Sequence, residues 1–490
     1  MQRINATPFL KLLSYSKMCL SQNACKTTLS IKDMPRPKSL PIIGTKLEFI
    51  AAGSGTKLHE YADRRHKQLG PLYNEKLGGN TDLVFVSDPM LIRSLFINLE
   101  GKYPVHILPE PWVLYEKMYG SKRGLFFMNG EEWLNNRRVM NKYLLKENSE
   151  NWFEIPVKKT VNNLIQRWKI ETEKGQFIPD LETEFYKFSI DVIIAVMLGS
   201  SSSLQRDRHY EALLDMFSET VKKIFQTTTK LYGFPVDICQ KLNLKVWREF
   251  KESVDGSLSL AHKIVGEILM NSKDGDGLIN LLVNENVKPD DIKRIIGDFV
   301  IAAGDTTSYT SIWTLFLLSK NEKAREELYQ RDSYINHVIK ESMRLYPVAP
   351  FLTRILPKES IFGNYKLSKG TPIIASIYTS GRDEQYFSRA NEYLPYRWDR
   401  NDARKNELVN HVTSASLPFA LGARSCIGKK LAMLQMTELI SQIVQNFEFE
   451  CLNKDEVTAN TSQVLVPSRD IQLSFTLRQP EKRQFDKVTV

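Results

Sequence analysis

The feature that most constrains this chain is a long apolar segment, residues 290–319, with the spacing of a helix. Ile292, Ile295 and Phe299 recur at intervals of three and four residues, which places them on one helix face. Pro289 and the two aspartates after it supply a helix start, with acids at the positive end of the helix dipole. The pattern predicts a long helix, and ordinary core packing is sufficient to explain its apolar stripe.

The sequence Gly-Asp-Thr-Thr at 304–307 interrupts this apolar pattern in mid-span. These residue types are mediocre helix formers. An acid in a buried helix costs free energy unless it is paired or functional. Because hydroxyl and carboxyl side chains can take over backbone hydrogen bonds, we expect the helix to open locally here, at a point that serves chemistry.

The rest of the chain reads as one mostly α domain with a small β portion, beginning after about residue 35. No repeat, low-complexity tract or Gly/Ser linker divides it. Helical patterns are predicted over 130–146, 156–170, 181–199, 209–231, 245–271, 290–319, 334–345 and 428–446. Strand-like runs are predicted at 71–76, 82–86, 372–376 and 471–477.

Composition excludes several classes of protein. The chain has 490 residues, 42% hydrophobic and 25% charged, which is ordinary globular usage and excludes disorder, collagen and coiled coil as descriptions of the whole. Five cysteines are too few for a disulfide scaffold. No run of apolar residues is long enough to predict a transmembrane helix. The net charge of +10 is concentrated partly at the amino-terminal end, so no nucleic-acid partner is expected.

Residues 1–32 have the composition of a mitochondrial transit peptide. They contain five basic residues and no acidic residue, are rich in Ser, Thr and Asn, and include a short apolar cluster at 9–13. A secretory signal would need a longer apolar run, and a disordered tail is the alternative explanation. We therefore predict a leader over 1–32, a mature domain over 33–490 and a mitochondrial location on the matrix side of the inner membrane.

The strongest chemical signal is the stretch Phe-Ala-Leu-Gly-Ala-Arg-Ser-Cys-Ile-Gly at 419–428, which a helical pattern follows. Glycines on both sides of Cys426 allow a tight turn that presents the sulfur and lets a planar cofactor approach. Arg424 adds a positive charge beside a thiolate. A buried, inert thiol is the plain alternative. A phosphate-binding loop fails on its spacing, and zinc lacks a second ligand nearby.

This stretch resembles the haem-binding loop of the cytochrome P450 family, F-x-x-G-x-R-x-C-x-G, at every fixed position. The other family patterns follow in the expected order: W-x-x-x-R at Trp133–Arg137, the oxygen-activating helix at 302–306, E-x-x-R at Glu341–Arg344, and the segment 394–398 with Arg397. The resemblance covers about residues 35–480. It implies a single-domain P450 fold in which haem lies between the long helix and the cysteine loop.

The resemblance also assigns roles to individual residues. Cys426 is implied as the axial ligand of a haem b iron, and such a thiolate favours cleavage of the O–O bond. The implied cofactor-binding set is Trp133, Arg137, Arg354, Phe419, Arg424 and Cys426. Asp305 and Thr306 are implied to supply protons for oxygen activation, which makes them the catalytic candidates. Ala303 stands where the family commonly has glycine, so the opening of the helix is expected at a slightly different place.

Glu341, Arg344 and Arg397 are implied to form a buried carboxylate–guanidinium network behind the haem loop. Glu341 and Arg344 are three residues apart, and therefore lie on one helix face. Buried charges need such pairing, so we expect this group to be structural and not catalytic.

The mitochondrial branch of the family is the better match. A transit-like leader stands where microsomal members carry a membrane helix, and short segments at 102–104, 110–112, 130–133 and 380–383 resemble mitochondrial members. Those enzymes take electrons from NADPH through ferredoxin reductase and an acidic [2Fe-2S] ferredoxin. The candidate docking residues are Lys340, Lys429 and Lys430. Asn336 replaces a lysine that relatives often have, and the 320–339 region looks shorter than usual.

Within this branch, the 301–307 motif and the short 320–339 region resemble insect ecdysteroid 2-hydroxylases of the Shadow type. This implies hydroxylation of ecdysteroid carbon 2, the 2-deoxyecdysone to ecdysone type of step in moulting-hormone biosynthesis. The apolar steroid pocket is expected from the residues 105–128, Phe299, Val300, Ala303, 348–353 and 464–467.

Other functions remain open at this point. They are hydroxylation of another steroid carbon or of a xenobiotic, an isomerase-type or peroxide-using haem-thiolate enzyme, and a haem-binding sensor or carrier without turnover. The amphipathic region around 230–239 leaves two alternatives, ordinary packing and a peripheral contact with the membrane.

Overall fold

The computed structural model describes residues 28–78, 81–120, 123–199, 208–232, 234–270 and 275–479. Most of the predicted leader, residues 1–27, lies outside these described residues.

The helices of the described chain differ widely in length, from one and a half turns to more than eight. In chain order they are α1 (Lys46–Ala51), α2 (Leu58–Leu69), α3 (Pro89–Ser94), α4 (Glu110–Tyr119), α5 (Gly130–Leu144), α6 (Glu154–Glu173), α7 (Leu181–Leu198), α8 (Arg208–Leu231), α9 (Val236–Lys241), α10 (Lys245–Met270), α11 (Leu278–Asn284), α12 (Pro289–Ser319), α13 (Glu322–Gln330), α14 (Ile335–Leu345), α15 (Ile377–Gly381) and α16 (Lys429–Asn446).

The strands are short. They are β1 (Leu29–Ser30), β2 (Leu72–Glu75), β3 (Leu83–Val86), β4 (Phe351–Ile355), β5 (Ser360–Phe362), β6 (Tyr365–Leu367), β7 (Pro372–Ser376), β8 (Phe447–Cys451), β9 (Ala459–Ser462), β10 (Val464–Pro467) and β11 (Leu473–Leu477). The main sheet has the order β2-β3-β7-β4, and a second sheet has the order β1-β6-β5. Two antiparallel pairs, β9 with β10 and β8 with β11, complete the sheets of the described chain.

The mostly α architecture with a small β portion, predicted from the sequence, is confirmed. All eight predicted helices are present, with ends within about three residues of their predicted bounds. The four predicted strands are present as β2, β3, β7 and β11. No described helix has the length and hydropathy needed to cross a bilayer.

Helix α2 is one that the sequence pattern did not reveal. Its buried face includes His59, Arg65 and His66 beside Tyr61 and Ala62. Because three of these five buried positions are histidine or arginine, the apolar period of the helix is hidden in the sequence.

Helix α12 runs without a break in its helical assignment from Pro289 to Ser319. The local opening expected at 304–307 is therefore not present as an interruption of the helix. The hydroxyl of Thr306 instead donates to the carbonyl of Ala302 at 2.9 Å, one turn back, in addition to the helical pattern. The helix thus accommodates its polar residues by hydrogen bonds to its own backbone.

The carboxyl-terminal half of α12 is fixed in the core by Trp313. This side chain is fully buried, and its ring stacks on Tyr346 with 4.0 Å between the centroids. Its indole nitrogen donates to the carbonyl of Leu465 in β10 at 3.0 Å. The long helix is therefore held in register with the pair β9–β10 and with the end of α14.

A buried carboxylate, Glu341 on α14, organises the chain between α14 and the cysteine loop. Glu341, Arg344 and Arg397 are each at most 1% exposed. Arg344 donates to both oxygens of Glu341 at 2.7 and 2.9 Å, and Arg397 donates to one of them at 2.9 Å. The backbone N–H of Leu394 and the indole of Trp398 also donate to Glu341.

The two guanidiniums use their remaining N–H groups on backbone carbonyls of the same loop region. Arg344 donates to the carbonyls of Gly381, Ala390 and Glu392. Arg397 donates to two further carbonyls, at 388 and 389. These bonds fix a stretch that has little regular secondary structure of its own.

The charge state of Glu341 follows from these contacts. Burial alone would raise the pKa of Glu341, but the charges and hydrogen bonds of Arg344 and Arg397 hold it below its ordinary value. Glu341 is therefore an ionised group with partners on every side, and the predicted network is present as a structural unit.

We expect the substitution Glu341→Gln to lower the free energy of unfolding by about 3–5 kcal/mol, because it leaves two buried guanidiniums without a counter-charge. Denaturant unfolding of the haem-loaded protein measures this. Glu392→Gln is the matched control: its side chain is exposed and pairs with Arg389, so its effect should be within about 1 kcal/mol. Equal losses in the two variants would contradict a structural role for the network.

Candidate active site

The loop before α16 presents the thiol of Cys426 through an unusual backbone path. Ala420 and Gly422 both have positive φ, +57° and +78°. A Cβ atom on Gly422 would lie 2.3 Å from the backbone oxygen of Phe96 and from a carboxylate oxygen of Glu100, so only glycine fits there. The N–H of Cys426 donates to the carbonyl of Phe419 at 2.9 Å, which closes the loop.

The Cys426 side chain is accessible, although it sits deep among protein atoms. Burial raises the pKa of the thiol, while the N–H of Gly428 and the charges of Arg137 and Lys429 act in the opposite direction. A cation or metal bound at the sulfur would add to these groups in favouring the thiolate.

Three guanidiniums converge beside this loop: Arg137 from α5, Arg354 from β4 and Arg424 from the loop itself. Arg137 donates to the carbonyl of Ser425 at 2.7 Å. Arg354 donates to Glu100 at 2.7 Å. Arg424 donates to backbone and side-chain oxygens of residues 126–129. Guanidinium groups from α5, β4 and the cysteine loop thus lie close together at one place.

The cluster carries more positive charge than the acids near it neutralise. Burial and the charges of Arg354 and Arg137 lower the pKa of Arg424 to about 10, and Glu100 acts in the opposite direction. Burial lowers the pKa of Arg137 to about 10. In the described part of the chain, Nε of Arg137, Nη2 of Arg354 and Nε of Arg424 are buried and have no hydrogen-bond partner.

These observations provide a test of whether the site fits a haem. A haem carries two propionate carboxylates, and three crowded guanidiniums with unused buried N–H groups need anions. The accessible sulfur of Cys426 next to the cluster supplies a ligand of the right chemistry for iron. The residues present therefore fit the group: Cys426 would ligate the iron, and Arg137, Arg354 and Arg424 would hold the propionates.

The remaining predicted cofactor residues lie at the same place. Trp133 is 1% exposed, and the guanidinium of Arg424 lies over its ring at 4.4 Å from the centroid. Phe419 is partly buried and packs against the main core. In this structure Trp133 is therefore a support for Arg424, and the contribution of Phe419 to the loop is through its carbonyl.

Two residues of this site were missed by sequence reasoning. Glu100 accepts from Arg354 and, through its other oxygen, from the N–H of Ala423 at 2.7 Å, so it ties the cluster to the cysteine loop. His106 is partly buried near the same arginines, and desolvation together with the charges of Arg424 and Arg354 lowers its pKa to about 3. No motif marks either residue, because their role arises only from the folded position of the 95–107 region.

The long helix α12 presents different residues on two of its faces. Ala302 is exposed and Thr306 is half-buried, and both lie on the same helix face because they are four residues apart. Asp305 is 2% exposed and lies instead against α7, where the ring of Tyr186 packs on Gly304. The two predicted catalytic residues are thus adjacent in sequence but face different surroundings.

The surroundings of Asp305 raise the pKa of its carboxyl group to about 7. The main cause is burial, to which the negative charge of Glu182 adds, while Lys222 has the opposite effect. Near neutral pH, Asp305 is therefore present in both protonation states, as a group that exchanges protons requires.

The predicted apolar pocket is brought together only in part. The N–H of Ile107 donates to the hydroxyl of Thr353, and Leu465 donates to the carbonyl of Val348, so these three segments are neighbours. Val300, in contrast, is fully buried in the main core. Of the neighbouring positions on α12, the predicted Ala303 is half-buried and Ala302, which the sequence analysis did not include, is exposed.

The three predicted docking lysines differ in availability. Lys340 on α14 and Lys429 at the start of α16 are exposed. Lys430 is partly buried, and its ammonium group pairs with Glu150 at 2.9 Å. Lys430 is therefore already engaged within the chain.

Comparison with known proteins agrees with this arrangement. The family model described as Cytochrome P450 matches residues 34–475. The chain is 39% identical over 468 residues to "Cytochrome P450 315a1, mitochondrial" from Drosophila melanogaster, which covers 91% of this chain and 88% of the fly protein. It is 27% identical to the mitochondrial 1,25-dihydroxyvitamin D(3) 24-hydroxylase of Rattus norvegicus, over 92% and 90% of the two chains. It is 26% identical to the mitochondrial cholesterol side-chain cleavage enzyme of Oncorhynchus mykiss, over 85% of each.

We expect Arg137→Gln to speed the loss of haem about 10-fold or more, because it removes one charge-assisted hydrogen bond, which contributes about 1.5–3 kcal/mol. The rate of haem transfer to an excess of apomyoglobin measures this. The neighbouring Arg138 is exposed, so Arg138→Gln is the matched control and should lose haem at the wild-type rate. Equal rates for all three proteins would contradict a role for Arg137 in holding the cofactor.

Proposed function

This chain belongs to the cytochrome P450 family, and from that premise we propose that it is a mitochondrial, ferredoxin-dependent hydroxylase of ecdysteroid carbon 2. Membership of the family makes the chain a haem-dependent monooxygenase. Mitochondrial members of the family receive their electrons from NADPH through ferredoxin reductase and ferredoxin. Beyond family membership, we propose the ecdysteroid substrate, the residues that contact ferredoxin and the mitochondrial location.

Different residues of the chain have different roles around the cofactor. When bound, the haem supplies the oxidising chemistry that inserts one oxygen atom of O2 into a C–H bond. Cys426 would hold the iron, and the arginine cluster would hold the propionates. Asp305 stores a proton, and Thr306 places a hydroxyl on the accessible face of α12, next to Ala302. We assign proton supply to this pair of residues.

The main support for a steroid substrate is the set of relatives. The names of two of them, the vitamin D hydroxylase and the cholesterol side-chain cleavage enzyme, specify sterol-derived substrates, and each is matched over most of its length. The higher identity to an insect mitochondrial member favours an insect-type steroid over a vertebrate one. The resemblance of the 301–307 motif to ecdysteroid 2-hydroxylases then points to carbon 2.

The family match leaves fewer alternative functions than the sequence alone. A different steroid carbon or a xenobiotic remains the second candidate, because the residues that define regiochemistry are apolar and unspecific. A haem sensor without turnover has no support from the family match, and the chain's Asp305 and Thr306 suit oxygen activation better than isomerisation or peroxide use.

We expect the haem-loaded full chain, with a mitochondrial ferredoxin, its reductase and NADPH, to convert 2-deoxyecdysone into a product hydroxylated at carbon 2. Mass spectrometry and NMR of the product measure the position. No product should form when ferredoxin is omitted. Turnover of another sterol in the same panel, with none of 2-deoxyecdysone, would retain the monooxygenase and reject the 2-hydroxylase.

Ferredoxin docking is proposed at Lys340 and Lys429, with a smaller contribution from Lys430 because Glu150 already pairs with it. An acidic partner would be attracted by exposed lysines near the cysteine loop, and salt would weaken the attraction. We expect Lys340→Glu to raise the ferredoxin concentration for half-maximal turnover about 10-fold. Lys245→Glu, an exposed site on α10, should leave that concentration unchanged. A reversed result would place the docking surface elsewhere.

The proposed leader should end slightly earlier than residue 32. Leu29 and Ser30 form β1, which pairs in parallel with β6, and Ser30 caps the short turn after it. Residues from 29 onward are thus part of the fold, and we propose cleavage before Leu29. Sequencing the amino-terminal end of the mature chain from mitochondria tests this.

We also propose a peripheral membrane contact through α1 and α9. Exposed apolar side chains lie at both: Ile42 and Leu47 are 85% and 59% exposed, and Ile238 and Leu242 are 51% and 66% exposed. Burial raises the pKa of Cys239 on α9 and the charge of Lys46 on α1 opposes this, so these two residues are within electrostatic range of each other. Flotation with vesicles of phosphatidylcholine and cardiolipin, with Leu47→Ser and Leu242→Ser together as the variant, tests the contact.

A further inference from the structure

A polar cluster lies behind Asp305, on the face of α12 that packs against α7. Glu182 and Tyr186 are four residues apart on α7, and Asp305 and Tyr309 are four residues apart on α12. Each pair therefore lies on one face of its helix. The hydroxyl of Tyr309 donates to a carboxylate oxygen of Glu182, which joins the two helices.

The inner end of this cluster contains two buried polar atoms with unused hydrogen-bonding capacity. Among the described residues, Oδ2 of Asp305 and the hydroxyl of Tyr186 have no hydrogen-bond partner. Tyr186 is fully buried, and burial and the charge of Asp305 raise the pKa of its hydroxyl well above the ordinary value. The two groups are thus close enough to influence each other, and each is free to donate or accept a hydrogen bond.

The close approach of Tyr186 depends on Gly304. A Cβ atom at position 304 would lie 2.6 Å from Cε2 and 2.7 Å from Cζ of the Tyr186 ring. The glycine in the middle of α12 therefore allows the ring of Tyr186 to pack closely on the helix at the residue next to Asp305. Core packing alone does not require a hydroxyl-bearing ring at this position.

The outer end of the cluster reaches solvent. The ammonium group of Lys222 on α8 pairs with Glu182 at 2.9 Å, and the two side chains are 26% and 24% exposed. Two further acids, Asp470 and Asp180, lie near the same pair. Partial burial and the charges of Glu182 and Asp180 raise the pKa of Asp470, and the charge of Lys222 acts in the opposite direction. Exchangeable groups thus occur from the surface between α7 and α8 to the interior of α12. A hydrogen bond joins Tyr309 to Glu182 at the outer end, and the unpartnered groups of Tyr186 and Asp305 lie at the inner end.

We propose that Glu182, Tyr309 and Tyr186 form a proton-loading path from solvent to Asp305, and that Lys222 controls the charge at its entrance. This assignment rests on the proposed role of Asp305 as a proton donor. It adds a supply route to that role, with Glu182 as the residue that takes protons from water.

The transfer step is balanced without any further reactant. A hydronium ion at the surface gives a proton to the Glu182 carboxylate and becomes water. The carboxyl group of Glu182 then gives a proton to the hydroxyl of Tyr309, which gives its own proton to the hydroxyl of Tyr186. The hydroxyl of Tyr186 in turn gives its own proton to Oδ2 of Asp305. Reorientation of the two tyrosine O–H groups restores the starting arrangement, so one proton moves inward and no electrons move.

Substitution of Glu182 and substitution of Lys222, the ion pair at the entrance, should have opposite effects on the titration of Asp305. The negative charge of Glu182 raises the pKa of Asp305, and the positive charge of Lys222 lowers it. We therefore expect Glu182→Gln to move the titration midpoint of Asp305 to lower pH, and Lys222→Met to move it to higher pH, each by about half a unit to one unit.

Infrared spectroscopy of the haem-loaded enzyme measures this midpoint without turnover. The C=O stretch of the protonated Asp305 is identified by its absence in Asp305→Asn, and is followed as a function of pH in each variant. Glu184 is the matched control, because it lies on the same helix but pairs with Arg167 at 2.7 Å and accepts from Trp168. Glu184→Gln should leave the midpoint unchanged.

Transfer itself is tested by coupling efficiency. We expect Tyr309→Phe and Glu182→Gln to lower the product formed per NADPH about 10-fold, to release the remaining electrons as peroxide, and to change the solvent isotope effect on NADPH oxidation. Lys222→Arg, which retains the charge, should behave like the wild type. If Glu182→Gln fails to bind haem, Tyr309→Phe and Lys222→Met still decide the question.

The outcomes separate this inference from the proposed function. Unmoved midpoints in Glu182→Gln and Lys222→Met, or unchanged coupling in Tyr309→Phe, would overturn the path even if the enzyme hydroxylates a steroid. If the enzyme does not hydroxylate 2-deoxyecdysone, but the Asp305 midpoint moves in opposite directions in Glu182→Gln and Lys222→Met, the proposed substrate is rejected and the proton path is retained.

Discussion

The rest of the structure depends on one buried carboxylate with two guanidiniums. Glu341 receives charge-assisted hydrogen bonds from Arg344 and Arg397, and these arginines bind five backbone carbonyls between positions 381 and 392. The stretch that precedes the cysteine loop has few helices or strands to hold it. Side-chain to backbone hydrogen bonds therefore hold this stretch in place, as regular secondary structure does in other parts of the chain.

A second group of charges, the arginine cluster beside the cysteine loop, differs from the first in how its members are paired. The arginines at 137, 354 and 424 are close together, but within the described part of the chain only Glu100 lies among them as a counter-charge. In the first group every guanidinium nitrogen has a hydrogen-bond partner within the chain, which is what a structural element needs. In the second, each arginine keeps a buried nitrogen without a partner among the described residues, which is what a site for an anionic cofactor needs. The same residue type thus has two roles that burial and pairing distinguish.

Much of this arrangement follows from the sequence, because its largest helices have clear apolar periods and its site residues occur in motifs. The helices from α5 to α8, α10, α12, α14 and α16 were predicted in this way, and the Glu341 network was predicted from three residues. The sequence did not reveal α2, whose buried face contains two histidines and an arginine, or Glu100 and His106, which reach the site only through tertiary structure. It also predicted an opening in α12 that is not there, since the hydroxyl of Thr306 bonds to the helix without displacing its backbone.

The arginine cluster also has a consequence for the lifetime of the protein. Folding brings three like charges together, and an anionic cofactor that binds only the folded chain relieves their repulsion and stabilises that chain by mass action. The folded fraction then depends on the concentration of free haem. A cell that is short of haem would contain less of this enzyme even at a constant rate of synthesis, because the unliganded chain would be open to proteolysis for longer.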